Sequence, residues 1–182
     1  MAVIIHGSYA TGFNLGSIGT DVTVEAGATV SGTGFALYGA GSAAWSITNA
    51  GYLAAAPGDG IKLVASGAVT NSGTIVGGNF GVQLVAGGSV DNLNTGTISG
   101  KTDGVYLAGG TVTNAGTIIG GTDAVLFSSG GADRLIVDPG AVFGGKVADA
   151  AGGGALELAA GAGAGTIAGL GATIVGFSQT TI

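Results

Sequence analysis

Short runs of alternating apolar and polar residues, broken by Gly, Asn or Asp, recur along this chain every 21 to 23 residues. Ala68-Val69-Thr70-Asn71-Ser72-Gly73-Thr74-Ile75-Val76-Gly77-Gly78 leads into Gly81-Val82-Gln83-Leu84. Thr111-Val112-Thr113-Asn114-Ala115-Gly116-Thr117-Ile118-Ile119-Gly120-Gly121 leads in the same way into Ala124-Val125-Leu126-Phe127. A copy between them runs from Ser89 to Leu107, and an earlier one from Ser46 to Leu63. Alternation over a few residues, rich in Val, Ile and Thr, is the signature of a strand, and each repeat holds three such runs. Three strands alone cannot bury their apolar side chains, but stacked copies can. The pattern therefore predicts an all-β chain, a single-stranded parallel β-helix of about seven coils, each of roughly 20–25 residues and three short strands.

The columns of such a coil follow from the spacing. Val69, Val90 and Val112 form one inward column, Ile75, Ile98 and Ile118 a second, and Val82, Val105 and Val125 a third, joined by Leu84 and Leu107. Asn49, Asn71, Asn92 and Asn114 step by 22, 21 and 22 residues. Asn suits a left-handed backbone at a corner, and its amide can bond the Asn of the next coil, so a structural ladder is the leading reading of all four. The pattern loosens towards both ends. An early coil is read at Thr23–Leu37, and later ones at Leu135–Gly145 and from Ala155 to Phe177, the last including Gly165–Gly169. Longer corners fall near Tyr38–Ala44 and Ala148–Gly154.

Composition narrows the alternatives. With 41 glycines among 182 residues, helices are disfavoured throughout. Two prolines and no three-residue period exclude collagen. Abundant Val, Ile, Leu and Ala with only 8% charged residues excludes a disordered tail. Ten acids against four bases leave a net charge of −6 and no basic patch, so nucleic acid is not an expected partner. Without cysteine there is no disulfide and no thiolate site. No apolar run is long enough for a membrane helix, and Met1–His6 lacks the form of a signal peptide. The whole of 1–182 reads as one solenoid domain, a fragment of a longer protein, with its most regular repeats over 45–131.

At Val-Thr-Asn-Ser/Ala-Gly-Thr-Ile-x-Gly-Gly, residues 69–78 and 112–121, the sequence resembles bacterial autotransporter passenger domains and related β-strand-repeat surface proteins. Gly130–Ala141 is similar to the later coils of those passengers. The resemblance covers most of 20–177. It implies a right-handed coil, export across the outer membrane, and display at the bacterial surface as a stalk or adhesin scaffold. It also implies glycans or proteins of host or neighbouring cells as partners, and a membrane contact made only by a C-terminal barrel outside this sequence. The Gly-x-Ser-x-Gly motif of the family's protease members is absent from the sequence.

Candidate chemistry is sparse. Lys62, Lys101, Arg134 and Lys146 are too scattered for the clustered acids and base of a polysaccharide-cleaving β-helix. Asp59, Asp103 and Asp123 each precede a third strand, where solvated, amide-capping turns are expected and a shared cation is the alternative. Gly130-Gly131-Ala132-Asp133 has the look of one calcium-binding nonapeptide, without the tandem copies such a site needs. His6 stands alone. Tyr38, Trp45 and Tyr52, with Phe35, lie close together in sequence; corner packing is the leading reading and ligand contact the second. Thr74, Thr97 and Thr117 repeat, which makes ice binding a minor reading. No catalytic residue, metal or cofactor is expected. The functional expectation is a non-enzymatic extracellular structural module. A self-assembling filament or matrix subunit, stacked end to end through uncapped strand edges, is the alternative.

Overall fold

Each repeat turns two sharp corners and closes on a third, so its three strands become three walls of one coil. A computed structural model describes residues 2–17, 19–129, 132–161 and 169–182. The first wall is a parallel sheet of nine strands: Ala2–Ile5, Asp21–Val24, Trp45–Asn49, Gly67–Asn71, Gly88–Asn92, Gly110–Asn114, Arg134–Val137, Gly154–Leu158 and Phe177–Thr181. The second wall stacks Ser8–Tyr9, Thr29–Gly32, Tyr52–Ala55, Thr74–Gly77 and Thr97–Gly100; the third stacks Phe13–Asn14, Phe35–Gly39, Asp59–Leu63, Phe80–Leu84 and Asp103–Leu107. The long strands Thr117–Phe127 and Val142–Asp149 bend around the corner and join both walls, and Ile174–Val175 adds a last rung to the third. The protein is a parallel β-solenoid of about eight turns. The turn beyond the expected seven is Ala2–Asn14, whose strands are two to four residues long, too short to show alternation.

Register confirms the apolar columns. Ile47, Val69, Val90 and Val112 are cross-strand neighbours, and Val22 and Leu135 extend the column at either end. Leu53, Ile75, Ile98 and Ile118 line the second wall, and Ile61, Val82, Val105 and Val125 the third. All of these are buried in one continuous core. Each such side chain contributes about 1.5–3 kcal/mol on burial, and each touches its copies above and below, so the repeat is also the unit of packing.

The corners stack as well as the walls. The amides of Thr74, Thr97, Thr117 and Val142 donate to the carbonyls of Gly51, Gly73, Gly96 and Gly116 one coil earlier, at 2.8–3.0 Å. Among the described residues, only glycines have positive φ, so no Asn corner uses the left-handed backbone that the sequence suggested. Residues 162–168, which include most of the expected segment Gly165–Gly169, lie outside the described residues, as do Gly130 and Gly131.

Candidate functional site

The four asparagines end their strands on the first wall with their side chains turned into the coil, fully buried. Asn49 Nδ2 donates to Asn71 Oδ1 at 2.8 Å, Asn71 to Asn92 at 2.9 Å, and Asn92 to Asn114 at 2.9 Å. The second amide hydrogens go to backbone carbonyls at the corner; Asn92 Nδ2, for example, reaches Gly96 O and Thr117 O at 3.2 Å each. In return Asn49 Oδ1 and Asn114 Oδ1 accept from Gly51 N and Gly116 N. Val24 occupies the same column before Asn49 and Val137 after Asn114, so the ladder is a polar insert of four rungs in an otherwise apolar column. Every amide in it is spent on the fold.

Asp59 and Asp103 open third-wall strands, with the Phe80 rung between them, and Asp123 holds the matching place within Thr117–Phe127; all three are buried, not solvated as the sequence suggested, and Asp103 is 3% exposed. They do cap amides. Asp59 Oδ1 accepts from Phe80 N and from Asn79 Nδ2, both at 3.2 Å, and Asp103 Oδ1 accepts from Asp123 N at 3.2 Å. Asp103 and Asp123 are in register, and the next residue in the column is Lys146, whose Nζ lies 3.5 Å from Asp123 Oδ1. The Asp103–Asp123 corner thus has an ammonium beside it, although Asp123 Oδ1 itself accepts no hydrogen bond. Burial is the largest influence on Asp103 and raises its pKa; the Asp123 amide lowers it, the Asp123 carboxylate raises it and Lys146 lowers it, with a net rise. Asp133 is raised too, chiefly by burial, against the amide of Gly110 that it accepts at 2.8 Å and with the charge of Asp149 adding to the rise.

A carboxyl whose folded pKa lies above its unfolded one binds more protons folded than unfolded. Its stabilising contribution is present below the ordinary carboxylate value of about 4 and is lost as pH rises through the raised value. Asp103→Asn keeps the acceptor for the Asp123 amide and removes the charge. Its melting temperature at neutral pH is expected to exceed that of the wild type, and its fall between about pH 4 and 7 to be shallower. Circular-dichroism melts across that range check this; equal slopes for the two proteins would remove Asp103 from the account.

The three aromatic candidates separate. Trp45 begins a first-wall strand and is buried at the corner, where its indole fills the space a side chain on Gly39 would need. Tyr52 stands on the outer face of the second wall, 43% exposed. Tyr38 stands on the outer face of the third, stacked on Phe35 with ring centroids 4.8 Å apart. A second aromatic pair, missed in the sequence, lies on the same wall: Phe80 and Tyr106, on adjacent rungs, with centroids 5.2 Å apart. The repeat offered the signal, because Tyr38, Lys62, Gln83 and Tyr106 each follow an inward residue of the third column (Leu37, Ile61, Val82 and Val105).

Two hydroxyl columns also emerge. On the second wall Thr29, Tyr52, Thr74, Thr97, Thr117 and Val142 are in register, so the threonine array is interrupted by Tyr52 and ended by Val142. On the first wall Thr23, Thr48, Thr70, Asp91 and Thr113 form another. Asp91 interrupts it with a carboxyl whose pKa is raised by burial first and by Asp138 second. Of the four bases, Lys62 lies 3.8 Å from Asp59 Oδ2, Lys146 faces Asp123, and Arg134 pairs with Glu157. Among the described residues, no three His, Cys, Asp or Glu side chains are grouped to hold a metal ion. No protein-family model, curated protein or solved structure matches the chain.

Proposed function

We propose that this chain is a rod-like structural segment displayed outside the cell, a stalk or adhesin scaffold of the kind that the resemblance to autotransporter passengers implies. The observation that carries the reading is the use made of the recurring polar residues. Asn49, Asn71, Asn92 and Asn114 bond one another, and Asp59 and Asp103 cap the next coil's amides, so the repeat is built to hold coils together along one axis. Eight coil-to-coil steps of about 4.8 Å give a rod of roughly 40 Å from this segment alone. Such a rod places a surface at a distance from its anchor, and its parallel ladders resist bending. The absence of cysteine agrees with export in an unfolded state.

The test is surface shaving of intact source cells. Brief protease treatment, followed by blotting with an antibody to this segment, is expected to remove the signal while a cytoplasmic marker survives. Full protection on intact cells, lost on lysis, would overturn the reading.

A further inference from the structure

The outer face of the third wall differs from the other two. In coil order its column reads Asn14, Tyr38, Lys62, Gln83, Tyr106, Leu126. Phe35 stacks on Tyr38 within one rung, and Phe80, on the Gln83 rung, packs against Tyr106 of the next, so each tyrosine is part of a wider aromatic surface. Tyr38 and Tyr106 are three rungs apart, roughly 14 Å along the coil axis, with a polar Lys62–Gln83 step between them. Gln83 Oε1 is buried without a hydrogen-bond partner in the protein. Gln83 as a whole is half-buried on the outer face, and a carboxamide there can both donate to and accept from a ligand hydroxyl.

We propose that this strip binds an extended, neutral, β-linked glycan lying along the coil axis. This rests on the surface-display reading and adds its ligand class. Aromatic rings are flat, partly apolar platforms of the kind that accept the C–H face of a pyranose. A few convergent polar groups between aromatic surfaces fix orientation, here Lys62 and the Gln83 amide. The rung spacing is comparable to the advance of one pyranose along an extended chain, so a polymer can meet equivalent positions on successive coils. Charge selects among glycans. The protein carries a net −6, and the strip's only ammonium is already 3.8 Å from Asp59, so uronic-acid or sulfated chains are repelled and neutral ones are not.

The experiment uses the full chain in isothermal titration against linear neutral hexasaccharides (β-1,4-linked glucose, N-acetylglucosamine and mannose), with a hexuronate as the charged comparison. At least one neutral chain is expected to bind and the hexuronate not. Tyr106→Ala and Tyr38→Ala are each expected to weaken binding by about tenfold, the loss of one stacking platform. Tyr106→Phe, which keeps the ring, should stay within about threefold of wild type, and Tyr52→Ala on the second wall should not change binding. Far-UV circular dichroism and melting of each variant separate a lost contact from a lost fold. No binding by any neutral chain, binding of the hexuronate alone, or a Tyr52→Ala loss equal to that of both third-wall variants overturns the proposal. A displayed protein that binds no glycan overturns the strip alone; a glycan-binding protein protected inside the cell overturns the display reading instead.

Discussion

Asn92→Ala is expected to lower the stability of the coil by about 3–5 kcal/mol, a loss matched in the ladder by Asn71→Ala, the other interior rung with the same set of bonds. Four hydrogen bonds go with it: the acceptor for Asn71 Nδ2, the donor to Asn114 Oδ1, and the donors to Gly96 O and Thr117 O. Each contributes about 0.5–1.5 kcal/mol net, and the stranded partners are buried, which pushes the cost towards the upper end. Asn114→Ala should cost less, because Asn114 has an asparagine neighbour on one side only and Val137 on the other. Asn92→Asp should be worse than Asn92→Ala, since it replaces the donor by a charge in a fully buried column. Urea unfolding followed by circular dichroism measures all three. A rank order with Asn114→Ala as the most damaging would show that the ladder does not act through its neighbours.

The ladder also shows how far the sequence could be read. A column of identical residues at steps of 21 and 22 can be explained only by stacking, so its existence, and that of the three apolar columns, was visible without coordinates. Which way each Asn points was not. The same residue type satisfies a turn by its backbone or a core by its amide, and only burial and the hydrogen bonds to Gly96 O and Thr117 O decide for the second. The Asp column was misjudged for the same kind of reason. An acid next to glycine reads as a surface turn, whereas Asp103 is enclosed by the coils on either side and answers the amide of Asp123. The aromatic strip was hidden because sequence proximity grouped Tyr38 with Trp45 and Tyr52, which the coil places on three different walls, Trp45 being buried. Phe35 is a neighbour of Tyr38 in sequence, but Lys62, Gln83 and Tyr106 lie a coil or more from Tyr38, at matching register.

Gly100→Ala is expected to destabilise the protein by about 3 kcal/mol or more, by forcing apart a corner that has no room for a methyl group. A Cβ built on Gly100 would lie 1.8 Å from the carbonyl oxygen of Asp103 and 2.7 Å from Gly81 N, both backbone atoms that cannot swing aside. Gly32, Gly77 and Gly120 face the same obstacle, with the carbonyls of Phe35, Phe80 and Asp123 at 1.7–1.8 Å. The one alanine in this column, Ala55, explains the rule. From Gly32, Gly77, Gly100 and Gly120 the chain reaches the next wall's first residue in three steps, whereas from Ala55 it takes four, to Asp59. The extra residue moves the carbonyl away and leaves space for a side chain. A second change should therefore repair the first: inserting one residue between Lys101 and Thr102 in the Gly100→Ala background gives that corner the length of the Ala55 corner. The insertion is expected to recover at least half of the lost stability, although loop insertions ordinarily add a small entropic cost. Gly27→Ala is the control. Gly27 has φ +82° and nothing within 4 Å of a Cβ, so its loss is only the left-handed backbone penalty of about 1 kcal/mol. Urea unfolding midpoints for the three variants decide between a steric corner and a merely flexible one. If the corner is steric, Gly100→Ala falls well below Gly27→Ala and the insertion raises it again; if glycine serves flexibility, the two substitutions cost the same and the insertion lowers stability further.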